Sequence, residues 1–567
     1  MTRRSGCALA AVAALAAGCG GRGSPLSKPA EEPPPRLVVL VVIDQLPSWT
    51  FEARRASFVG GLRRLLDRGV YVARARIPYG SPLTAPGHAT LSTGTSPAIH
   101  GVIGNSWYRR ADGRVHDAEY DATAKIFTLP GADAAAGGAG STRSPGASGR
   151  AMRSPGLAEA LHLGTGGRGQ AVAVGLKARA ACFLAGQHPD AVVFFDAEAG
   201  GMTTSSAYAS EQPEWLLALA KVAPVSQWLT ATWKPLDAAQ LAAATGLVDA
   251  APGEGAEYDF GVTFPHRLAT SAAPIKALSA TPFGDTIVLD AARVAVAWNR
   301  LGADEVPDLL AISLNSHDFA GHNWGQGSWE EVDLLARLDL QLGAFFAFLD
   351  ERVGAEHYAV VLTSDHGATP LLERSRVPGA RRIPPAEIVA TAEQAMSDRL
   401  GPGPWVANLS SGNLYLHEAA RGIDPGRLEP ALDAAAAAIR QLPGIVAAGR
   451  FEPLLGAEPG DCRRGSDVER AMCRMAAPGA RGELYVAPAS GSLITSYTTG
   501  THHDAPSDDN QLVPLVIATP GVPPRLEAAQ WTTLSIAPTV AALLGVAPPA
   551  DATAPPLPLV RVPRDTD

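Results

Sequence analysis

The chain has 567 residues, of which 46% are hydrophobic and 18% are charged, and its formal net charge is -9. This composition is typical of a globular protein large enough for one big domain with insertions, or for two domains. A negative chain without a long basic run lacks the electrostatic attraction that nucleic-acid binding requires, so nucleic acid is excluded as a partner. Any phosphate chemistry would need local positive charge or metal ions.

The N-terminus is predicted to direct export. In residues 1–19, two arginines precede an Ala-rich apolar run that is too short to span a bilayer and that ends in small residues before Cys19. The stretch "LAAGCGG" resembles the lipobox of bacterial lipoproteins, in which Cys19 would carry the lipid. Ordinary signal cleavage near the same place is the alternative. Residues 20–35, rich in Gly, Pro and Ser, predict a flexible tether.

Continuous apolar runs that end in polar residues predict the main fold. Each has the pattern of a strand buried on both faces, and a segment of helical periodicity lies between them at residues 328–354. Strands that alternate with helices favour an α/β fold with a doubly wound, mostly parallel central sheet and helices on both faces. The predicted strands are residues 36–44, 171–179, 308–318, 358–367 and 512–521.

Residues 36–550 are predicted to form the catalytic domain, with two insertions. Residues from about 197 to 285 hold much of the Trp and Tyr content without regular alternation and would suit a cap over the site. Residues from about 376 to 500 combine an Ala-rich helix with a short strand and suggest a smaller α+β insertion. Residues 551–567 read as a Pro-rich tail.

The cysteines do not have the spacing of a zinc finger, so a metal site must be built from His and Asp. Cys462 and Cys473 flank a polar, Arg-rich stretch and could pair in an oxidising compartment. Cys182 lies in an apolar stretch and is predicted to be a buried free thiol.

The stretch "SPLTAPGHATLSTG" is too polar for a core strand and places Thr84 two residues before Pro86. Thr before Pro favours the start of a helix, and we expect the amides that follow Thr84 to point at an incoming anion. Thr84 is a candidate nucleophile that metal coordination would activate. Its alternative role is a helix N-cap.

Asp and His side chains follow the ends of several predicted strands, where reactive groups collect in a doubly wound fold. Each alone is more simply a turn former or a satisfied polar residue. Together they supply the oxygen and nitrogen ligands that two zinc-type ions accept. They are Asp44, Asp318, His322, Asp365, His366, His502 and His503.

The segments "VVIDQ", "TAPGHATLSTG", "GVIGNSWYRR", "GLKARAACFLAG", "HDFAGH", "SDHGA" and "GTHHDAPSDDNQLVPLVI" resemble, in order, the alkaline phosphatase superfamily. The resemblance is to its threonine-dependent bacterial branch, the PafA-like enzymes, which are related to nucleotide pyrophosphatase/phosphodiesterases. It extends from about residue 36 to 545.

The resemblance implies two Zn2+ per chain and a phosphothreonine intermediate on Thr84. One ion would be bound by Asp318, His322 and His503, since the family's G-T-x-H pattern places its ligand fourth. The ligands of the other ion would be Asp44, Asp365 and His366, with Thr84 completing the set. The family commonly has Gly where this chain has Asp504.

Three further residues would decide the substrate. Lys177 and Arg179 lie two apart just past a predicted strand, so on an extended backbone they would point the same way. By resemblance, both bind the non-bridging oxygens of a phosphate monoester, and Asn105 also contacts the phosphoryl group. Cationic donors there favour the monoester dianion.

The predicted function is that of a zinc-dependent phosphate monoester hydrolase, an alkaline phosphatase that scavenges phosphate from small organic phosphate esters. A phosphodiesterase or nucleotide pyrophosphatase with the same metals is the alternative, and a catalytically silent metal protein is the competitor from another class. Sulfate ester hydrolysis would be at most a side activity. We expect a monomer, periplasmic or anchored at the outer membrane, whose membrane contact is limited to the N-terminal lipid.

Overall fold

A ten-stranded sheet forms the centre of the computed structural model, which describes residues 34–129, 142–259 and 261–560. The predicted signal, Cys19, nearly all of the tether and the last seven residues lie outside the described residues. The strands of this sheet are β1 Leu37–Ile43, β2 Val70–Arg76, β3 Ala171–Gly175, β4 Ala191–Asp196, β5 Gly201–Thr203, β6 Asp308–Leu314, β7 Tyr358–Thr363, β8 Leu512–Ala518, β9 Arg525–Glu527 and β10 Trp531–Thr532.

The order across the sheet is β5-β4-β3-β6-β1-β7-β8-β2-β9, with β10 also paired to β2. Strands β4, β3, β6, β1 and β7 are parallel neighbours, and β8 is antiparallel to both β7 and β2. Strand β2 therefore runs in the same direction as β7. The predicted mostly parallel sheet is confirmed.

Helices cover both faces of the sheet. Alternate residues of β1 belong to two separate apolar clusters, Val39 and Val41 on one face and Val38 and Leu40 on the other. In chain order the helices are α1 Ser48–Arg54, α2 Gly61–Arg68, α3 Thr84–Thr93, α4 Pro97–His100, α5 Leu157–Thr165, α6 Ala178–Leu184, α7 Glu214–Val222, α8 Ala238–Thr245, α9 Pro274–Ala277, α10 Pro282–Asn299, α11 Ser316–Trp324, α12 Trp329–Arg352, α13 Pro385–Leu400, α14 Pro425–Arg440, α15 Asp467–Cys473, α16 Asp508–Gln511 and α17 Ile536–Leu543.

Three predicted strands are shorter than expected because helices or loops begin where the runs turn polar. Strand β3 ends at Gly175, β6 at Leu314 and β7 at Thr363. The predicted helix over residues 328–354 is α12, which begins after Ser328, whose hydroxyl accepts a hydrogen bond from the Glu331 amide at 3.1 Å. Among the described residues, no helix is both long enough and apolar enough to cross a bilayer.

The two proposed insertions differ in character. A four-stranded antiparallel sheet, in the order 406–410, 413–416, 484–488 and 445–450, packs with α13 and α14 around its own apolar cluster. In the other region Trp215 and Trp233 belong to the main core. Its stretch at residues 253–257 packs on the end of α11, where the Gly255 amide donates to the Asn323 carbonyl at 2.7 Å.

Candidate metal centre and nucleophile

Six chain segments meet at one edge of the sheet. Parallel strands β1, β3, β6 and β7, together with β2, end there, so the residues that follow them arrive at the same place. Because β8 is antiparallel, the segment that precedes it, containing His503, reaches this edge too. Sheet topology therefore brings together residues that lie more than 400 positions apart.

The structure assembles two clusters of metal-ligand type, and their membership matches the two predicted ligand sets. Asp44, Asp365 and His366 form the buried group, and Asp318, His322 and His503 form the part-open group. Within each group one ligand atom from every residue lies within 4.8 Å of the others. His502 belongs to neither group, although its Nδ1 accepts the His503 amide at 2.8 Å.

All three histidines of these groups are oriented by backbone carbonyls. Nδ1 of His366 donates to Gly367 O at 3.0 Å, that of His322 to Thr501 O at 2.8 Å, and that of His503 to Pro82 O at 2.8 Å. A histidine whose Nδ1 carries the proton in this way leaves the lone pair of Nε2 free for a metal.

The carboxylates face these lone pairs with oxygens that have no hydrogen-bond partner. Asp44 Oδ1 and Asp365 Oδ2 are buried and accept no hydrogen bond, yet they lie 3.2 and 3.4 Å from His366 Nε2. A buried carboxylate oxygen without a donor is costly unless a cation compensates it. The residues of both groups therefore fit divalent ions.

The charges of the site perturb its titration strongly. Burial alone would lower the pKa of His366, but Asp365 and Asp44 outweigh it and raise that pKa to about 9. Burial would raise the pKa of Asp318, but Lys177 and His322 hold it well below its ordinary value. Burial and the neighbouring His366 together hold the pKa of His503 well below its usual range. The pKa values of neighbouring ligands are therefore shifted in opposite directions by the charges packed around them.

Thr84 is the first residue of α3 and is 2% exposed. Its Oγ1 lies 3.4 Å from His366 Nε2, and the residue at the cap position is Leu83, with no side-chain cap bond. The hydroxyl therefore does not act as an N-cap. Gly87, one turn on, is required because a Cβ there would lie 2.7 Å from the Asp365 Cβ.

The expectation that the amides after Thr84 bind an anion is wrong. The Ala85 amide donates to Asn105 Oδ1 at 2.8 Å, Pro86 has no N–H, and the Gly87 amide donates to Leu83 O at 2.9 Å. The contact to Ala85 nevertheless places Asn105 directly beside Thr84. Its amide nitrogen can still donate.

The premise that Lys177 and Arg179 lie on one extended backbone is wrong, because helix α6 begins at residue 178. Lys177 Nζ donates to Asp44 Oδ2 at 2.8 Å and also to Asp318, so it bridges the two groups. Arg179 lies in α6, where its Nε is 3.8 Å from a Glu119 carboxylate oxygen. Arg179 Nε is buried and makes no hydrogen bond. The binding of phosphoryl oxygens by the two cations stays a prediction.

Several polar residues that hold the ligands were missed by sequence reasoning. Asn315 Nδ2 donates to Asp44 Oδ2 at 2.6 Å, and His317 bridges the Asp44 carbonyl and Glu331. His88 Nδ1 lies 2.8 Å from the Thr84 carbonyl, and its Nε2 lies 2.7 Å from Ser313 Oγ. Asn315 and His317 lie in the polar end of the run "AISLNSHD", next to the predicted ligand Asp318.

Gln45 connects both groups. Its amide N–H donates to Asp365 Oδ1 at 3.2 Å and its side-chain Nε2 donates to Asp318 Oδ1 at 2.8 Å. It adopts a left-handed backbone, with φ of 63°, and Gln326 Nε2 donates to its carbonyl and side-chain oxygens at 3.1 and 3.0 Å. Backbone strain at a non-glycine residue persists only where the surroundings enforce it.

Comparison with known proteins agrees with this architecture. The family model "Type I phosphodiesterase / nucleotide pyrophosphatase" matches residues 38–141 and 181–444, more than half of the chain. Alkaline phosphatase PafA of Elizabethkingia meningoseptica is 33% identical over 341 residues, which are 59% of this chain and 60% of that protein. Alkaline phosphatase PhoV of Synechococcus elongatus is 31% identical over 361 residues, 62% of each chain.

The aligned region thus spans about three fifths of the length of these relatives. A crystal structure of alkaline phosphatase PafA superimposes with a TM-score of 0.82 at 24% identity, covering 93% of this chain and 98% of the other. That likeness shows the shared fold. On the family match, the chain belongs to the type I phosphodiesterase/nucleotide pyrophosphatase family of the alkaline phosphatase superfamily.

Proposed function

We propose that the chain is a zinc-dependent phosphate monoester hydrolase that uses Thr84 as its nucleophile. The observation that carries the proposal is the position of the Thr84 hydroxyl, 3.4 Å from His366 Nε2 and free of any capping role. A hydroxyl beside a candidate metal ligand supports a role in attack rather than in capping the helix. The alkaline phosphatases among its relatives support the same activity.

The six Asp and His residues would hold the two ions, Asp318, His322 and His503 one of them and Asp44, Asp365 and His366 the other. Zinc suits a donor set of imidazole nitrogens and carboxylate oxygens without thiolate. Two such ions neutralise charge on a transferring phosphoryl group and favour the ionised form of a neighbouring hydroxyl.

Thr84 Oγ would form the new bond to phosphorus while the alcohol of the ester departs with the electron pair of the broken bond. Water would then attack phosphorus, release inorganic phosphate and restore the threonine hydroxyl. The Ala85–Asn105 and Thr84–His88 hydrogen bonds hold the first turn of α3 so that the hydroxyl keeps its direction. Such positioning contributes to rate by avoiding reorganisation during the reaction.

Lys177 and Asn105 support monoesters over diesters. Lys177 bridges the two ligand groups, and Asn105 is fixed beside Thr84, so both can approach the phosphoryl oxygens. A monoester dianion carries more charge on those oxygens and gains more from these donors. Small phosphate esters would be the substrates, and a single chain would suffice.

Thr84→Ala tests the proposal. We expect turnover of an aryl phosphate to fall by about four orders of magnitude or more, while metal content stays near two per chain. Thr93→Ala, a buried threonine at the other end of α3, is the matched control and should retain turnover. Turnover by Thr84→Ala close to that of the unsubstituted chain would refute the nucleophile assignment.

The second candidate is a phosphodiesterase with the same centre, which the matching family model favours. Rates on an aryl phosphate and on its methyl diester separate the two. We expect the monoester to be preferred and Lys177→Ala to reduce that preference. A strong diester preference that Lys177→Ala leaves unchanged would establish the phosphodiesterase instead.

Export belongs to the same proposal. The pairing of Cys462 with Cys473 and the buried free thiol of Cys182 both follow the sequence prediction. A structural disulfide supports an oxidising compartment such as the periplasm. Mass spectrometry of the chain isolated from membrane and soluble fractions would test signal cleavage and lipidation at Cys19.

A further inference from the structure

The loop at residues 77–83, between β2 and α3, carries two parts of the candidate site. It leads directly into Thr84, and its Pro82 carbonyl accepts the hydrogen bond that orients His503. A displacement of this loop would therefore move the nucleophile and release one ligand of the part-open group at the same time. The contacts that hold this loop therefore affect the geometry of the candidate site.

Residues 460–475, which we call the disulfide-closed segment, pack against this loop. The Arg474 guanidinium donates to the Pro78 carbonyl at 3.2 Å. Gly80 lies against Met472 so closely that an added Cβ would overlap the Met472 sulfur and lie 3.1 Å from the Met472 backbone nitrogen. Tyr79 shares an apolar cluster with Met475.

The disulfide-closed segment also contacts the chain just after the C-terminal end of α3. The Ala98 amide, in α4 just after α3, donates to the Arg474 carbonyl at 2.8 Å. The Ile99 side chain packs at Gly460, 2.9 Å from where a Cβ would stand. Arg474 thus binds chain on both sides of α3, through its guanidinium before the helix and through its carbonyl after it.

The Cys462–Cys473 bond makes this segment a fixed surface. It joins residues 11 apart with Cα atoms 5.7 Å from each other, and Cys473 lies between Met472 and Arg474. Helix α15 has only seven residues, too few to be stable without tertiary support. Tyr485 of the small sheet donates to Glu469 at 3.2 Å and anchors the opposite side.

We propose that the Cys462–Cys473 disulfide, with Met472 and Arg474, positions Thr84 and His503 for the reaction. These residues do not contact the reacting atoms. They act through the loop at residues 77–83. The kinetic part of the proposal rests on the proposed function. Its structural part, that the disulfide fixes the loop, does not.

The first experiment replaces both cysteines, Cys462→Ser with Cys473→Ser. Hydrogen exchange of the amides of residues 79–84, except Pro82, should become faster, whereas exchange in β1 should not change. At a temperature where the variant is fully folded, kcat on an aryl phosphate should fall about ten- to a hundredfold, with KM within about twofold. Unchanged exchange in the loop would overturn the proposal whether or not the chain hydrolyses phosphate esters.

A second set of variants tests the same positioning role if the double cysteine variant does not fold. Arg474→Gln should accelerate loop exchange and lower kcat, and Arg474→Lys, which keeps a cationic donor, should restore part of both. Arg463→Gln is the matched control, because Arg463 lies inside the disulfide loop but its side chain is 89% exposed. Equal effects of Arg463→Gln and Arg474→Gln would overturn the positioning role.

Discussion

The two ligand groups lie side by side but are built in different ways. The buried group takes Asp44 and Asp365 from the residues that follow adjacent parallel strands, and all three of its side chains are fully enclosed. The part-open group takes two ligands from α11 and a third from the loop before β8, and the His322 side chain is 30% exposed. The buried group is thus built from residues at the strand ends. The part-open group is built from a helix and a loop that lie at the same edge of the sheet.

Their supports differ accordingly. Asp365 Oδ1 accepts hydrogen bonds from the backbone amides of Gln45 and His366, both of which follow the ends of adjacent strands. In the part-open group, His503 depends on Pro82 and Asp318 depends on Gln45 and Lys177. We infer that a chelator removes an ion from the part-open group first, because solvent reaches it and its supports come from distant segments.

Among substitutions of the ligand groups, the largest effect should come from His366→Gln. This residue belongs to the buried group and contacts Thr84, so under the proposed function its loss would remove an ion and misplace the nucleophile. Since an ion supplies several kcal/mol of charge stabilisation, kcat/KM for an aryl phosphate should fall by about three orders of magnitude. Metal content should fall from near two to near one. His162→Gln, a histidine paired with Asp190 away from the site, should leave both values unchanged.

His322→Gln tests the other side of the comparison and should have a smaller effect. Solvent can occupy the vacated ligand position of an exposed site, so we expect a loss of about a hundredfold in kcat/KM. In a chelator titration, one equivalent of metal should be released at lower chelator concentration while the other is retained. Simultaneous loss of both equivalents would show that the two groups are not independent.

Gln45→Met tests whether the metal affinity of the part-open group can be lowered without changing that of the buried group. The substitution keeps volume and backbone amide, so Asp365 retains its hydrogen bond, but Asp318 loses the side-chain donor. Loss of a residue that orients a ligand typically weakens metal affinity about ten- to a hundredfold. The decrease should appear only in the weaker of the two binding steps in a metal titration. Gln394→Met, on the exposed face of α13, provides the control.

The sequence predicted the buried group more completely than its surroundings. Asp44, Asp365 and His366 follow runs whose apolar character fixes strand direction, and parallel strands must end at a common edge. The four-residue spacing of Asp318 and His322 also predicted that both side chains lie on one face of a helix, and one turn of α11 does separate them. Ligand types and topology thus indicated five of the residues, and the choice of His503 over His502 came from the family resemblance.

The failures have two causes, which are the local backbone state and hydrogen bonds between distant segments. Lys177 and Arg179 were placed on an extended backbone, whereas the chain enters α6 at residue 178. The amides after Thr84 were expected to be free, but Asn105, twenty residues on, occupies one of them. Hydrogen bonds between distant segments, such as that of Gln45 with Asp318, have no periodicity by which a sequence could reveal them.

The last expected effect is on stability rather than on catalysis, and it concerns the support beneath the part-open group. The Ser316 amide at the start of α11 donates to Asp285 Oδ1 at 3.2 Å, while Asp285 Oδ2 is buried without a hydrogen-bond partner. Burial raises the pKa of Asp285 to about 7, although hydrogen bonds from Ser316 oppose the shift. Above its ordinary pKa of 3.8 the unfolded chain has lost a proton that the folded chain still holds.

The stabilising contribution of protonated Asp285 is therefore complete below about pH 4 and is lost as the pH rises through 7, by roughly 1 kcal/mol of unfolding free energy per pH unit. Asp285→Asn keeps the acceptor for Ser316 but cannot ionise, so its Tm should exceed that of the unsubstituted chain by an amount that grows from pH 5 to pH 8. Asp398→Asn, on the exposed face of α13, should give no such trend. A Tm difference for Asp285→Asn that is constant across this range would mean that Asp285 is ionised in the folded chain, and the start of α11 would then rest on a buried charge.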